Sequence, residues 1–169
     1  MPARLTTHTI EFPYTRTLGP VYSAFLTGMR DRKIIGIRTS DGRVLCPPTE
    51  WDPTTGEALD HDFVEVGPGG VVETWAWVTA PTRKHPLDHP FAFALVKLDG
   101  ADTALLHAVD AGSMDVMKSG MRVAPRWKAE RIGHITDLEA FVVDEASGGL
   151  ADRTPAETKL AQSTKGDAK

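Results

Sequence analysis

Short apolar runs separated by turn-forming residues fill the middle of the chain, and their spacing predicts β-strands. Residues 71–79 alternate between the two faces of a strand. One face carries Val71, Glu73, Trp75 and Trp77, and the other carries Val72, Thr74, Ala76 and Val78. Residues 91–98 form a strongly apolar second strand. A turn at Asp99-Gly100 leads into a third strand over 103–109, which makes a hairpin with the second.

The remaining strands of this unit follow a short helical turn. Residues 113–118 predict that turn, which ends at Gly120, and residues 121–128 and 135–143 supply two more strands. Five strands with a small helix between the third and fourth is the order of an OB-fold barrel. The pattern therefore predicts a mainly β protein with a five-stranded OB-fold domain over residues 62–144.

The chain ahead of the barrel predicts one short helix after a polar arm. Residues 19–30 place a proline in the first turn and three apolar residues, Val21, Phe25 and Met29, four positions apart on one face. Gly28 is expected to interrupt or end this helix. The arm, residues 1–18, alternates polar residues with the apolar residues Ile10, Phe12, Tyr14 and Leu18. This alternation suits a segment that lies along a sheet edge or a partner's surface. Residues 1–32 are therefore expected to form an N-terminal arm and helix.

Two further segments flank the barrel. Residues 33–61 are rich in Pro, Thr, Gly and Asp, and residues 34–37 predict a short strand. Gly42 and Gly56 suit tight turns, because glycine adopts positive φ at little cost. From residue 145 the composition changes to small and polar residues, so 145–169 predicts a flexible C-terminal tail.

Composition narrows the class of protein. The formal net charge is −4, which does not favour binding to a phosphate backbone. A single cysteine, Cys46, excludes an internal disulfide and favours the cytoplasm. It has no histidine near it in sequence to act as a base, so a buried structural cysteine is expected. No apolar run reaches the roughly 20 residues that span a bilayer, so no membrane association is expected.

The Gly-containing turns of residues 33–61 have the spacing of a zinc ribbon without its ligands. Arg38-Thr39-Ser40-Asp41-Gly42 and Asp52-Pro53-Thr54-Thr55-Gly56 stand where a ribbon protein carries two Cys-x-x-Cys-Gly knuckles. Between them lies Leu45-Cys46-Pro47-Pro48. The segment is therefore interpreted as a degenerate zinc ribbon.

The order of these features extends into the barrel. Gly67-Pro68-Gly69-Gly70 opens its first strand and Gly120-Met121-Arg122-Val123 its fourth. Over residues 19–143 the chain resembles the acyl-CoA-associated zinc-ribbon/OB-fold family, also known as domain of unknown function 35. No single motif is specific, and the resemblance rests on the order of all of them.

The resemblance places the ligand positions at Arg38, Asp41, Asp52 and Thr55. Arginine cannot coordinate zinc and two aspartates make a poor site, so neither zinc nor another cofactor is expected to bind. Arg38 is expected to face Asp41 or Asp52 in an ion pair that replaces the metal, unless these charges are simply solvated. Most of the stability would then come from packing of Ile35, Ile37, Leu45, Trp51 and Leu59.

The resemblance implies a non-catalytic accessory subunit of a thiolase-like acyl-CoA enzyme, either a thiolase or a lipid-transfer-protein-type retro-aldolase. Steroids or other bulky acyl chains would be degraded by that complex, and acyl-CoA would be the substrate of the partner. The accessory chain would support the partner's fold and its acyl-CoA channel. A MaoC-like enoyl-CoA hydratase is the alternative partner. The sequence itself contains no spaced catalytic series that favours a separate enzyme.

The residues expected to contact the partner or acyl-CoA are Phe25, Trp75, Trp77, Arg83, Lys84, His85, His89, Phe93 and Trp127. The tryptophans and Phe93 would form the barrel surface that meets the partner. The basic loop between the first two barrel strands would attract phosphates or a carboxylate. Its two histidines are not expected to bind a metal, because two prolines in the same loop prevent a helix.

Two other functions stay open at this stage. An OB-fold can bind single-stranded nucleic acid by stacking bases on aromatic residues beside a basic groove. Here Trp75, Trp77 and Trp127 would stack, and the cations would be Arg122, Arg126, Lys128 and Arg131. The acidic balance of the chain argues against this function. The other alternative is a free-standing acyl-CoA carrier or regulator.

Overall fold

Two sheets and one helix make up the part of the chain that the structure, a computed structural model, describes: residues 10, 12, 14, 15 and 17–144. The helix is α1, Gly19–Arg30. A three-stranded antiparallel sheet consists of β1 (Ile34–Arg38), β2 (Val44–Leu45) and β3 (Phe63–Val66). The second sheet consists of β4 (Gly70–Val78), β5 (Phe91–Leu98), β6 (Ala104–Asp110), β7 (Arg122–Trp127) and β8 (Leu138–Val143). The predicted tail, residues 145–169, lies outside the described residues.

The second sheet closes into a barrel with the strand order β4-β5-β6-β8-β7. Strands β7 and β4 close it by pairing at Gly70 with Val123, and β6 pairs with β8 in parallel. A 3₁₀ turn at Met114–Val116 lies between the third and fourth barrel strands. The predicted OB-fold is confirmed.

The alternation predicted for the first barrel strand is wrong beyond Val72. A β-bulge between Val72 and Thr74 adds one residue to β4 and shifts its register against β5. The faces of the strand therefore exchange at this point. As a result, Val72, Trp75 and Trp77 all pack against the same barrel core, although the prediction placed Val72 opposite the tryptophans.

The last strand also begins later than predicted. Residues 135–137 form a 3₁₀ turn, and strand pairing starts at Leu138. The carboxylate of Asp137 holds this turn, because it accepts hydrogen bonds from the backbone N–H groups of Ile132, Gly133 and His134.

The predicted helix over 19–30 is confirmed, and it buries Val21, Phe25, Gly28 and Met29. Gly28 neither interrupts nor ends it. A Cβ at this position would lie 2.7 Å from Cγ1 of Ile35, so glycine allows the helix to approach β1 closely. The guanidinium of Arg131 donates to the carbonyl of Arg30 and thereby ties the helix end to the loop before β8.

The segment between β1 and β3 folds through the two predicted turns. Gly42 and Gly56 adopt φ values of 88° and 73°, which confirms their turn role. Ile37 and Leu45 pack with Val21 and the partly buried Leu59. Trp51, which was expected to pack here, is largely exposed because its backbone forms an isolated bridge with Ala58 at the surface.

The barrel and the three-stranded sheet are joined by side chains that bond to backbone. The β5–β6 turn supplies Asp102, whose carboxylate accepts from Val44 N at 2.8 Å and whose N–H donates to Val44 O at 2.8 Å. Next to it, the Thr103 hydroxyl accepts from Cys46 N at 2.7 Å and donates to Cys46 O at 3.0 Å. One continuous hydrophobic core then runs from α1 through β2 into the barrel.

Replacing Thr103 tests this junction. Thr103→Val keeps the shape of the side chain but leaves the buried Cys46 N–H and C=O without their partner, so the free energy of unfolding should fall by about 1–3 kcal/mol. Urea denaturation of the purified chain measures it. Thr103→Ser, which keeps the hydroxyl, is the control and should stay within about 1 kcal/mol of wild type. Equal stability of the valine and serine variants would contradict the assigned role.

Candidate functional site

The two glycine turns meet at one arginine that the sequence analysis did not single out. Nε of Arg43 lies 2.7 Å from Oδ2 of Asp41, and its Nη2 lies 3.0 Å from Oδ2 of Asp52. The Asp52 side chain is only 3% exposed and also accepts from Thr54 N at 2.7 Å. The guanidinium of Arg43 therefore joins the first turn to the second.

Both carboxylates are held in their charged form. The Thr39 hydroxyl and the Arg43 guanidinium donate to Asp41 and lower its pKa to about 2. The pKa of Asp52 is also lowered, first by the Thr54 N–H and then by Arg43, against the opposing effect of desolvation. At neutral pH the charged guanidinium of Arg43 therefore lies between two ionised carboxylates, those of Asp41 and Asp52.

The predicted ion pair between Arg38 and these aspartates is wrong. Nε of Arg38 lies 3.3 Å from Oδ2 of Asp62, and Arg38 N donates to Asp62 O. The cause is strand pairing, because the antiparallel register of β1 with β3 brings residue 62 beside Arg38. Of the other ligand positions, Thr55 accepts from Glu57 N through its hydroxyl.

Arg38 lies at a cleft of about 210 Å³. The cleft is lined by Arg38 and Asp52, together with Thr39, Ser40, Glu57, Ala58, Leu59, Asp60 and Asp62. Four of these side chains are carboxylates, so the cleft is predominantly acidic. Within the described ranges, no group of three or more His, Cys, Asp or Glu side chains is arranged to hold a metal ion.

The predicted loop between the first two barrel strands folds back onto the barrel. Leu87 packs with Phe91, Ala108 and Ala140, and the ring of His85 lies 5.9 Å from that of Phe91. The ring of Phe93, another predicted contact, lies 4.9 Å from Phe91 and is partly buried in the same cluster. The loop therefore covers apolar surface outside the barrel core, while Arg83 and Lys84 remain exposed.

The second histidine of the loop belongs to a charged network at the end of the barrel. Nε2 of His89 lies 3.2 Å from Asp110, and the same carboxylate receives Nη1 of Arg126 at 2.8 Å. Asp88 and then Asp110 raise the pKa of His89. Arg126 also reaches Glu139 at 2.6 Å. These contacts fix the end of the loop against β6, β7 and β8.

The aromatic residues predicted as a contact surface are mostly turned toward the core. Phe25 is 4% exposed and lies within the core, so its side chain is not available to a partner. Its position is explained by the apolar face of α1, which must pack against the sheet. Trp75, Trp77 and Trp127 are partly buried and pack against the barrel core. They present only part of each ring to the solvent.

Three of the four cations proposed for nucleic acid are engaged within the chain, and the fourth, Lys128, is exposed. Arg122 forms a double hydrogen bond with Asp99 at 2.6 Å, and Arg126 is held by two acidic residues. Arg131 donates to the carbonyls of Arg30, Lys128 and Ala129. This arrangement does not favour a groove for phosphates.

Cys46 is fully buried, and desolvation raises the pKa of its thiol to about 12. A thiol that stays protonated at neutral pH is a weak nucleophile. The prediction of a structural cysteine is confirmed by this burial.

Five exposed apolar residues precede or begin the helix: Ile10, Phe12, Tyr14, Leu18 and Tyr22. We call this set the N-terminal ridge. The alternation of the arm pointed to four of its members, but Tyr22 carried no separate signal because one aromatic residue in a helix is usually core. The site residues otherwise expected to contact acyl-CoA stay predictions.

Comparison with known proteins places these features in a family context. Residues 63–128 match a family profile described as the C-terminal OB-fold domain of ChsH2. A DUF35-family protein of unknown function from Sulfolobus solfataricus shares the fold at 19% identity, with a TM-score of 0.56 over 75% of this chain and 85% of that one. The Ltp2-ChsH2(DUF35) aldolase does so at 22% identity, with a TM-score of 0.56 over 76% of this chain and 98% of that one. No curated protein sequence matches the chain.

The contacts of Arg43 predict a pH-dependent stability difference. Asp41 and Asp52 have lowered pKa values, so their bonds to Arg43 stabilise the fold above the unfolded aspartate pKa of about 3.9 and are lost as the pH falls toward about 2. Arg43→Gln should therefore have a lower urea midpoint than wild type at about pH 6, and the difference should shrink below about pH 4. Arg83→Gln, in an exposed loop, is the matched control. A difference that is unchanged between these pH values would refute the assignment.

Proposed function

We propose that this protein, a DUF35-type OB-fold protein, is a non-catalytic accessory subunit of a thiolase-like acyl-CoA enzyme of the lipid-transfer-protein type. The observation that carries the proposal is the match of the barrel to the ChsH2 OB-fold domain. The Ltp2-ChsH2(DUF35) aldolase, whose name joins such a domain to a second component, agrees in fold over 98% of its chain. The complex would act on acyl-CoA, with steroids or other bulky acyl chains as its substrates in the cytoplasm.

The chemistry of the described residues supports an accessory role. The thiol of Cys46 is buried, and desolvation lowers the pKa of the buried His107, which contacts Phe141. The carboxylate of Asp137 accepts hydrogen bonds from three backbone N–H groups. Each of these groups has a structural task, whereas a general acid or base must reach a substrate.

The loop before β5 is the element that would lie near the partner's substrate entrance. Its body is anchored by Leu87 and by the contact of His89 with Asp110, while Arg83 and Lys84 extend into the solvent. Exposed cations on an anchored loop are suited to attract the phosphates of an acyl-CoA passing into the partner.

Among the described residues, no helix has the length and apolar character that a membrane span requires.

Co-purification tests this function. The full-length tagged chain, expressed in its native host, should recover a thiolase-fold subunit in near-equal amount, and the pair should remain together in size-exclusion chromatography. Activity should require that subunit and should be measured as acyl-CoA cleavage by the complex and by each component alone. A MaoC-like hydratase in its place would assign the alternative partner. Recovery of no acyl-CoA enzyme would refute the proposal.

We further propose that residues 33–61 are a zinc-ribbon framework in which Arg43 bridges the turns in place of the metal. The bridge joins positions 41 and 52, and positions 38 and 52 line one cleft. Three of the four ligand positions are therefore neighbours in space, as tetrahedral coordination requires.

Restoring the ligands tests the ribbon interpretation. The variant Arg38→Cys, Asp41→Cys, Asp52→Cys, Thr55→Cys, combined with Arg43→Ala, should bind one zinc ion per chain, because four thiolates then surround the former bridge. Cobalt substitution gives a visible absorption spectrum that reports tetrahedral thiolate ligands. Arg43→Ala alone is the control and should show no such spectrum. Failure of the folded cysteine variant to bind zinc or cobalt would contradict a ribbon framework.

A further inference from the structure

We propose that the N-terminal ridge is the segment by which this chain docks into an apolar groove on its partner enzyme subunit. The inference rests on the proposed function and deepens it by naming the surface of contact. It also replaces the barrel tryptophans, which pack against the chain's own core, as the principal contact.

The first argument is the amount of apolar surface that the chain leaves uncovered. Phe12 and Tyr14 are 83% and 85% exposed. An aromatic side chain buries about 150–250 Å² when it is covered, so these two rings alone offer on the order of 300 Å². Ile10, Leu18 and Tyr22 add further exposed apolar surface, so the ridge can supply a substantial part of the roughly 800 Å² that each partner contributes to a stable interface.

The second argument is the spacing of the ridge. Ile10, Phe12 and Tyr14 are two residues apart, and such residues share one side of an extended segment. Leu18 and Tyr22 are four residues apart at the start of α1 and share one face of a helix. A groove that covers the ridge would receive three anchors from the arm and two from the start of the helix. Addition of an extended segment to a partner's sheet edge, with pockets for alternate side chains, is a known mode of such docking.

The third argument concerns which surface can cover the ridge. The cleft on this chain is lined by Asp52, Glu57, Asp60 and Asp62, and desolvating carboxylates under aromatic rings is unfavourable. Two arms from two copies would form only a two-stranded ribbon, which is marginally stable in water. Residues 10–22 carry one acidic and one basic residue, so their net charge is zero. These properties fit an apolar, uncharged groove on the partner enzyme.

Photo-crosslinking tests the position of the ridge. The probe is the thiolase-fold subunit that co-purifies with the wild-type chain, produced recombinantly and mixed with the full-length chain carrying Phe12→p-benzoylphenylalanine. Illumination should yield a crosslink to that subunit. The matched control carries the same group at Leu106, which is 62% exposed on β6, and should yield none.

Affinity measurements give the second readout. The double variant Phe12→Ser, Tyr14→Ser should bind the same subunit about 100-fold more weakly, because buried aromatic anchors dominate interface energies. Its melting temperature should equal that of wild type, since both side chains are exposed. Leu106→Ser is the control and should bind normally.

The outcomes separate this inference from the proposed function. If the wild-type chain binds the subunit while the double variant binds within about threefold of it, the ridge is not the docking segment and the proposed function stands. If position 12 crosslinks to a second copy of this chain, the ridge mediates self-association and the inference is overturned. If the wild-type chain recovers no thiolase-fold subunit, the proposed function fails, and this inference fails with it.

Discussion

The junction between the β5–β6 turn and β2 is the constraint on which the rest of the structure depends. Strand β2 has only two residues, and the backbone groups of Val44 and of Cys46, which follows the strand, need partners once they are buried. Asp102 and Thr103 provide them from the barrel. Phe25 and Met29 of the helix belong to the same buried cluster as Leu98 and Leu105, so helix, small sheet and barrel share a single core. A segment of this size without a disulfide or metal rarely holds its own fold.

This shared core explains why a single arginine is sufficient between the two glycine turns. A structural zinc can contribute about 10 kcal/mol or more to folding, whereas a hydrogen bond to a charged group contributes about 1.5–3 kcal/mol. Arg43 therefore cannot replace the energy of a metal. Its part is geometric, because its fork fixes Asp41 against Asp52 while the core supplies the stability. The interpretation of this segment as a ribbon depends on that division of tasks.

The sequence predicts the elements of this fold that depend on neighbouring residues. It does not predict the features that depend on pairing between distant residues. The helix over 19–30 and the turn at Asp99-Gly100 follow from short-range patterns, and the order of the strands is typical of an OB-fold. The bulge at Glu73 cannot be read from the alternation of apolar and polar residues. The predicted face of Trp75 relative to Val72 was therefore wrong. The partner of Arg38 is set by the register of β1 with β3, which no local pattern contains. Arg43 was missed because its buried partner, Asp52, lies in the second glycine turn.

The surfaces that hold the barrel together are separate from the N-terminal ridge, for which docking is proposed. Arg122 and Arg126 of β7 are paired with acidic residues of the chain, and the loop carrying His85 and Leu87 covers the apolar face around Phe91. Elsewhere the folded body exposes scattered apolar side chains, among them Trp51, Leu106 and Ile132. The N-terminal ridge adds five exposed apolar side chains within one short segment, outside the shared core. Because that surface contributes little to the stability of the isolated chain, a partner can cover it without unfolding the barrel. An accessory subunit needs this separation, since a docking surface that also formed the core could not be presented before binding.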